Sequence, residues 1–209
     1  MNEVSLHPNQ IEFLAEDSTI TIIPNFKMGS LLFLSGEYGP FVPSIPIDVP
    51  LWLAISLKKK KKCTIKPPKW MNYEYLNEKY QEENKTTTKF VEMPQHFIEI
   101  SSLLLSTAAE EIPNANVVSG LIEDIVKRRQ SKINHSFQEM LTSVTEEETI
   151  PVLEMKDLTL MEINRIRGSL VTGLAHLYKI KLSSKADGDN STSNSSLSTP
   201  SFTQSQSQK

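Results

Sequence analysis

The stretch "PFVPSIPIDVPLWLAISLKKKKKC" (residues 40–63) decides how the chain is laid out. It passes from a proline-spaced run, through nine residues with a single hydroxyl and no charge (49–57), into five consecutive lysines. Pro40, Pro43, Pro46 and Pro50 recur every three or four residues, close to the polyproline II repeat. Such a run is either a ligand for a proline-recognising domain or an extended segment laid on the core. Phe41, Val42, Ile45, Ile47 and Val49 fill the gaps with apolar side chains, which favours the second. Pro50 suits the first turn of a helix, so 51 to about 61 reads as helical. Its apolar part is about half the roughly 20 residues a membrane span needs. Leu51, Trp52, Ala54 and Ile55 are therefore expected to pack between two parts of the fold, with Leu51, Trp52 and Ile55 as the candidate interdomain contacts. Lys58, Lys59, Lys60, Lys61 and Lys62 fall at the helix C-terminus, where positive charge is favoured by about 0.3–1 kcal/mol at exposed sites. Five exceed that need, so they are a candidate import signal or DNA-facing patch.

Upstream, Pro8 opens a short helix over 8–16. "STITIIP" (18–24) is β-branched and reads as a strand, and "SLLFLSG" (30–36) as a second. "GEYG" (36–39) reads as a turn in which Gly36 and Gly39 supply backbone freedom. Downstream, "CTIK" (63–66) is a short third strand. "PPKWMNYEYLNEKYQEENK" (67–85) is helical to about residue 84 and is broken by "TTTK". "PQHFIEISSLLLSTAAEE" (94–111) places Phe97, Ile100, Leu103 or Leu104, and Ala108 on one face. Asn114 or Asn116 caps a long helix through about Leu141. Its apolar stripe (Val118, Leu121, Ile122, Ile125, Ile133, Phe137, Met140, Val144) is interrupted by Arg129. "TEEETIPVLE" (145–154) is an acidic loop. "TLMEIN" (159–164) is a capping box, with Thr159 accepting and Glu162 reaching back. The last helix runs from 160 to about 180 with Leu160, Ile163, Leu170, Leu174 and Leu177 as its stripe. Residues 183–209, rich in Ser, Thr, Asn and Gln, cannot bury enough apolar area to offset roughly 1–2 kcal/mol of ordering per residue, and are expected to be disordered. There the hydroxyl–Gln pairs at Thr203, Ser205 and Ser207 resemble sites of damage-responsive kinases, against a background of plain low complexity.

With 209 residues the chain suits one domain or two small ones sharing a core. A net charge of −3 excludes a wholly basic nucleic-acid binder. One cysteine, Cys63, permits no intramolecular disulfide and fits a reducing compartment. The first twenty residues carry acids and no apolar core, so no secretory leader is expected; a soluble cytosolic or nuclear protein is. No phosphate-cradling GxxxxGK, no GxGxxG and no HExxH occurs. His7, His96, His135 and His176 fall in different elements, without metal-ligand spacing. Neighbouring lysines could lower the Cys63 pKa, yet no histidine stands by as base. Glu82-Glu83 and Glu146-Glu147-Glu148 sit in polar stretches and are expected to be solvated, where no pocket splits their pKa values. Neither catalysis nor a metal or cofactor is expected. What remains is helix surface: "KRRQSK" (127–132) and "RIR" (165–167). Arg167 falls in register with the last apolar stripe. Buried, it needs a carboxylate from this chain or another; otherwise it snorkels to solvent. Arg128, Arg129, Arg165 and Arg167 are the candidate partner contacts.

"EFLAED" (12–17), "TIIPNF" (21–26), "GPFVPSIPIDVPLWLAISLKKKKKC" (39–63), "PPKWM" (67–71) and "DLTLMEINRIRGSL" (157–170) together resemble the second subunit of the eukaryotic GINS complex. The matches keep their order over roughly residues 10–180. The resemblance implies a nuclear, non-catalytic subunit of a heterotetramer formed with three other GINS subunits. That tetramer joins the MCM motor ring and an inactive RecJ-like helicase partner in the replicative helicase. It acts there as a scaffold in initiation and fork progression. The implied fold is α+β and mainly α. A small N-terminal β-rich domain (1–66) precedes a larger helical bundle domain (67–182); the tail (183–209), expected to be disordered from its composition, lies outside the resemblance. The alternative is a nucleic-acid-binding adaptor using basic patches 58–62 and 127–132. DNA contact is otherwise expected to be weak or indirect, and no membrane is involved.

Overall fold

The structure, a computed structural model, describes residues 6–87, 89–146 and 156–190. In chain order it begins with α1 (Pro8–Ala15), β1 (Thr19–Pro24), β2 (Leu31–Phe33), β3 (Gly36–Tyr38), β4 (Ile47–Pro50), α2 (Leu51–Lys59) and β5 (Cys63–Ile65). β1 is the centre of an antiparallel sheet of order β4-β1-β5. Its alternation turns Ile20, Ile22 and Pro24 inward. The register sets Ile20 opposite Val49 and Ile22 opposite Ile65, so one apolar face runs across all three strands. A slip of one residue would turn that face to solvent. On the other face the Thr21 hydroxyl donates to Asp48 at 2.6 Å.

The proline-spaced run is not extended throughout: it turns at Pro43-Ser44, with Ser44 left-handed at φ 65° and the Ile45 N–H donating to Val42 O at 3.2 Å. Phe41 and Met28 exchange backbone hydrogen bonds (2.9 and 3.0 Å), and the buried Phe41 ring stacks on Phe26 at 5.4 Å. The run ends as edge strand β4, where proline's missing donor costs no ladder bond on the open side. Ile45 departs from the expected apolar set and is exposed. Gly36 to Tyr38, read as a turn, is instead a strand: β2 and β3 form a separate hairpin, and the reversal occurs at Leu34-Ser35. Gly39 is required where it stands. Its φ is +126°, and a Cβ there would meet the Ser30 backbone at 2.8 Å.

α2 follows Pro50 directly, whose extended backbone ends β4. Leu51, Ala54 and Ile55 bury one face of the helix and Leu53 and Leu57 another, as it packs on β1, β4, β5 and a later helix. α2 ends in a Schellman motif. The Lys62 N–H donates to Leu57 O (3.0 Å) and the Lys61 N–H to Lys58 O (2.8 Å), with Lys61 left-handed at φ 57°.

The helical part comprises α3 (Tyr73–Lys85), α4 (Phe97–Thr107), a 3-10 turn (Ala109–Glu111), α5 (Ala115–Glu146) and α6 (Leu160–Asn190). Asn72 caps α3, its side chain accepting from Tyr75 N–H at 2.8 Å. α4 starts three residues later than expected, because Pro94 to His96 only prepare its first turn, with Phe97 N–H bonding Pro94 O. α6 runs past its expected end near 180. Extending a formed helix adds a bond per residue without a new nucleus, so the backbone continues as helix to Asn190, and residues 183–190, expected to be disordered, belong to α6. Most of the acidic loop (147–155) lies outside the described residues, as do 191–209 with Thr203, Ser205 and Ser207.

The fold is α+β and mainly α: a small strand region precedes the helices. Residues 1–168 form one compact unit; a second begins at Ser169, and its described part is the continuation of α6. Within the first unit a single apolar cluster runs from Ile20, Ile22 and Val49 through α2 to Leu76, Phe97, Leu104, Val118 and Ile125. Among the described residues no helix is long and apolar enough to cross a membrane.

Candidate functional site

Arg129, which breaks the apolar stripe of α5, is fully buried. Its five N–H donors all find acceptors inside the chain. Nε and Nη2 grip Glu162 bidentately at 2.7 and 3.0 Å, Nη2 also donates to Asp157 O at 2.7 Å, and Nη1 donates to Val91 O at 2.7 Å and Glu83 at 3.3 Å. One turn along, Lys132 donates to Glu83 (2.7 Å), Thr86 Oγ1 (3.0 Å) and Lys89 O (3.1 Å). The Phe90 ring covers both cations, 5.3 Å from the guanidinium and 6.0 Å from the ammonium. Two cations and two carboxylates thus balance in the buried interior. Burial alone would lower the Arg129 pKa; the Glu162 and Glu83 carboxylates outweigh it and hold the pKa above its ordinary value. The cluster ties α3, the 86–91 connection, α5 and the start of α6 together.

Glu162 has a second duty. The expected capping box is present: Thr159 N–H and hydroxyl donate to Glu162 Oε2 (2.8 and 2.9 Å), and Glu162 N–H approaches Thr159 Oγ1 at 3.4 Å. The same carboxylate therefore caps α6 and neutralises Arg129. Two expectations are corrected here. Arg129 does not belong to a partner interface, because every donor is used internally and nothing of it reaches the surface. Glu83, read as solvated, is 1% exposed and binds both cations.

The lysine run divides in the same way. Lys58 is largely buried and bridges Glu111 (2.5 Å) and Glu110 (2.8 Å) on the 3-10 turn after α4. Burial would lower its pKa, but these carboxylates raise it. The second Glu111 oxygen accepts the Ile65 N–H of β5 at 2.6 Å. One acidic side chain thus links the end of α2, the edge of the sheet and the helical part. Lys58 is accordingly no component of an import or DNA-facing patch, whereas Lys59, Lys60, Lys61 and Lys62 are exposed. In the second basic patch Lys127 is exposed and pairs with Glu123 at 3.4 Å, while Arg129 and Lys132 are interior. A continuous nucleic-acid surface over 127–132 is thereby ruled out.

Arg165 and Arg167 are exposed and Arg128 is half-buried. Arg167, in register with the stripe, meets no interior, and the buried side of the first α6 turn is instead Met161 and Glu162. Leu51 and Ile55 lie in the common core, and Trp52 turns toward the hairpin, edge-on to Phe33 at 5.1 Å. Cys63 is buried in β5 with its thiol near Ala54 O. Burial, aided by Glu111, pushes it up to about 11, opposite to the activation that nearby lysines suggested.

Glu110, Glu111 and Glu99 were not singled out from the sequence, and Lys132 only as part of the basic patch 127–132, which was expected on the surface. Glu99 is 3% exposed on α4, and neither of its oxygens has a hydrogen-bond partner among the described residues. His96 Nδ1 stands 3.8 Å away. Burial raises the Glu99 pKa, against smaller lowering effects from its own backbone and from His96. Arg129 and Lys132, three apart inside an apolar stripe, were a legible sign of buried cations; the carboxylates that meet them carried no such mark.

Two family models match the chain in succession: the PSF2 N-terminal domain over residues 7–66 and the GINS complex protein helical bundle domain over 70–181. Among similar proteins, the DNA replication complex GINS protein PSF2 of Xenopus laevis is 40% identical over 176 residues, covering 84% of this chain and 92% of that protein. The protein of the same name from Homo sapiens is 39% identical, with 82% and 90% covered. That of Debaryomyces hansenii is 33% identical, with 91% and 89% covered.

Proposed function

This chain belongs to the family of the DNA replication complex GINS protein PSF2, and on that premise we propose that it serves as one of four subunits of a GINS heterotetramer. The observation that carries this reading is the succession of the two family domains over nearly the whole described chain. The tetramer joins the MCM motor ring and a RecJ-like partner in the nucleus. It acts as a non-catalytic scaffold of the replicative helicase, in initiation of DNA replication and in fork progression. Residues 1–66 and 67–182 are its two domains, with Leu51 and Ile55 in the apolar core they share, whereas Trp52, expected at their junction, faces the hairpin instead.

The distribution of charge supports a scaffold. Arg129, Lys132 and Lys58 are spent on tying helices and sheet together. Arg128, Arg165 and Arg167 remain for carboxylates of neighbouring subunits, since a guanidinium fork suits bidentate pairing at interfaces. Val171, Leu174 and Tyr178 are large and exposed on α6, which fits an obligate interface resembling a core cut in half. Lys59 to Lys62 allow a weak, secondary contact with DNA.

Co-expression tests the reading. Produced alone, the chain is expected to be poorly soluble; produced with its three GINS relatives, it is expected to co-purify with all of them through a tag on any one. Recovery of the tagged three without it would refute the proposal. DNA affinity of the assembly that is unchanged by Lys59–Lys62→Gln would remove the secondary contact.

A further inference from the structure

Four bulky apolar side chains from two separate elements gather at one edge of the strand region. Phe13 and Leu14 on α1, and Phe33 and Leu34 on the β2–β3 hairpin, are all exposed. Leu34, at the hairpin tip, projects completely, and Phe13 is 73% exposed. Single exposed apolar residues are ordinary, but a contiguous group marks a contact surface. Phe13, Leu14, Phe33 and Leu34 line a groove of 580 Å³, with Trp52 as part of its wall.

The groove is built on fixed parts. The Trp52 ring meets Phe33 edge-on at 5.1 Å and Tyr38 at 6.3 Å. Its backbone N–H donates to Glu16 O at 3.0 Å, joining the end of α1 to the start of α2, whose other faces lie in the core. A pre-formed aromatic wall loses little freedom when something docks on it.

Charge selects the occupant. Glu16 and Asp17 line the groove, no lysine or arginine does, and neither carboxylate has an ion pair among the described residues. A carboxylate beside an apolar, poorly hydrated surface attracts a cation more strongly than one in open water. A second copy of this chain would set acid against acid, and the phosphates of nucleic acid or an anionic lipid surface would be repelled. We propose that this groove docks a short segment of another protein, one that presents one or two bulky apolar side chains next to a lysine or arginine. The surface is separate from the charge clusters above, and the reading does not depend on which assembly the chain joins.

The test uses the full chain, purified alone or with the subunits that keep it soluble. A random 12-residue phage library is panned on it, and the most recovered sequence is synthesised with a fluorescent label for anisotropy titration. Recovered sequences are expected to be enriched in large apolar residues with Lys or Arg within two positions. Binding of the synthetic peptide should weaken at least tenfold in Phe13→Ser combined with Leu34→Ser. It should weaken at least threefold in Glu16→Gln combined with Asp17→Asn. All four side chains are surface groups, and unchanged circular dichroism and melting would show that the variants fold. Recovery of no peptide, of peptides without basic enrichment, or of peptides indifferent to both double variants overturns the proposal. So does loss of co-purifying subunits or of self-association in the Phe13→Ser, Leu34→Ser variant, which would assign the groove to a sister subunit or to a second copy.

Discussion

A guanidinium removed from water is stable only while every donor is met and its charge is balanced, and Arg129 meets both conditions with groups from three separate segments. Removing it leaves Glu83 and Glu162 buried without their partner. Arg129→Ala is therefore expected to cost about 3–5 kcal/mol, read as the change in urea-unfolding free energy; a loss under 1 kcal/mol would contradict the cluster's role. Glu99 offers the opposite case, a buried carboxylate with no hydrogen bond among the described residues. Its pKa is raised in the folded state, so the proton is held more tightly there than in the unfolded chain. Its stabilising contribution is complete below the unfolded value of 4.5 and is lost as pH rises through the folded value. Glu99→Gln should thus raise the urea midpoint at pH 7.5, with the gain closing as pH falls below 4.5. A gain independent of pH would assign the effect to packing. The sequence made the cations conspicuous, because charge in an apolar stripe breaks a period. It hid Glu83 and Glu99, since a carboxylate in a polar run or at the start of a helix reads as solvated until a neighbouring helix covers it.

At the scale of elements, α2 and the turn that ends it carry the connection between sheet and helices. Pro50 and the apolar residues after it announced the helix, and β-branched runs announced β1 and β5. The hairpin was half legible. Strand β2 showed its pattern, but β3 is three residues long and contains a glycine, so turn chemistry outweighed strand propensity. The lysine run misled, because composition cannot tell a solvated lysine from one clamped by acids fifty residues away. Glu111→Ala removes both the Lys58 bridge and the acceptor of the Ile65 N–H. It should cost about 2–3 kcal/mol, whereas Lys60→Ala should stay within about 0.5 kcal/mol. Equal effects on chemical unfolding would undo the distinction drawn between Lys58 and the exposed lysines. Lys61 occupies the left-handed position of a Schellman motif, which glycine takes without strain. Lys61→Gly is expected to raise stability by up to about 1 kcal/mol, and a lower melting temperature would contradict that geometry.

For the whole molecule, the recurring pattern is that the cations drawn into the interior of residues 1–168, Lys58, Arg129 and Lys132, are met by carboxylates of the same chain, while Lys59 to Lys62, Arg165 and Arg167 stay on the surface. The fold class followed from ordered strand and helix signals and from the resemblance carried by "VPLWLA" (49–54) and "TLMEIN" (159–164). Contacts between distant segments did not follow, because they depend on how helices meet. A unit tied together in this way, with arginines and large apolar groups left on its surface, suits a permanent place among other subunits. Sedimentation velocity of the co-expressed and purified GINS subunits tests this most directly. The account predicts one species containing a single copy of this 23.6 kDa chain and one of each relative. A stable, well-dispersed monomer that sediments apart from the other three would contradict it.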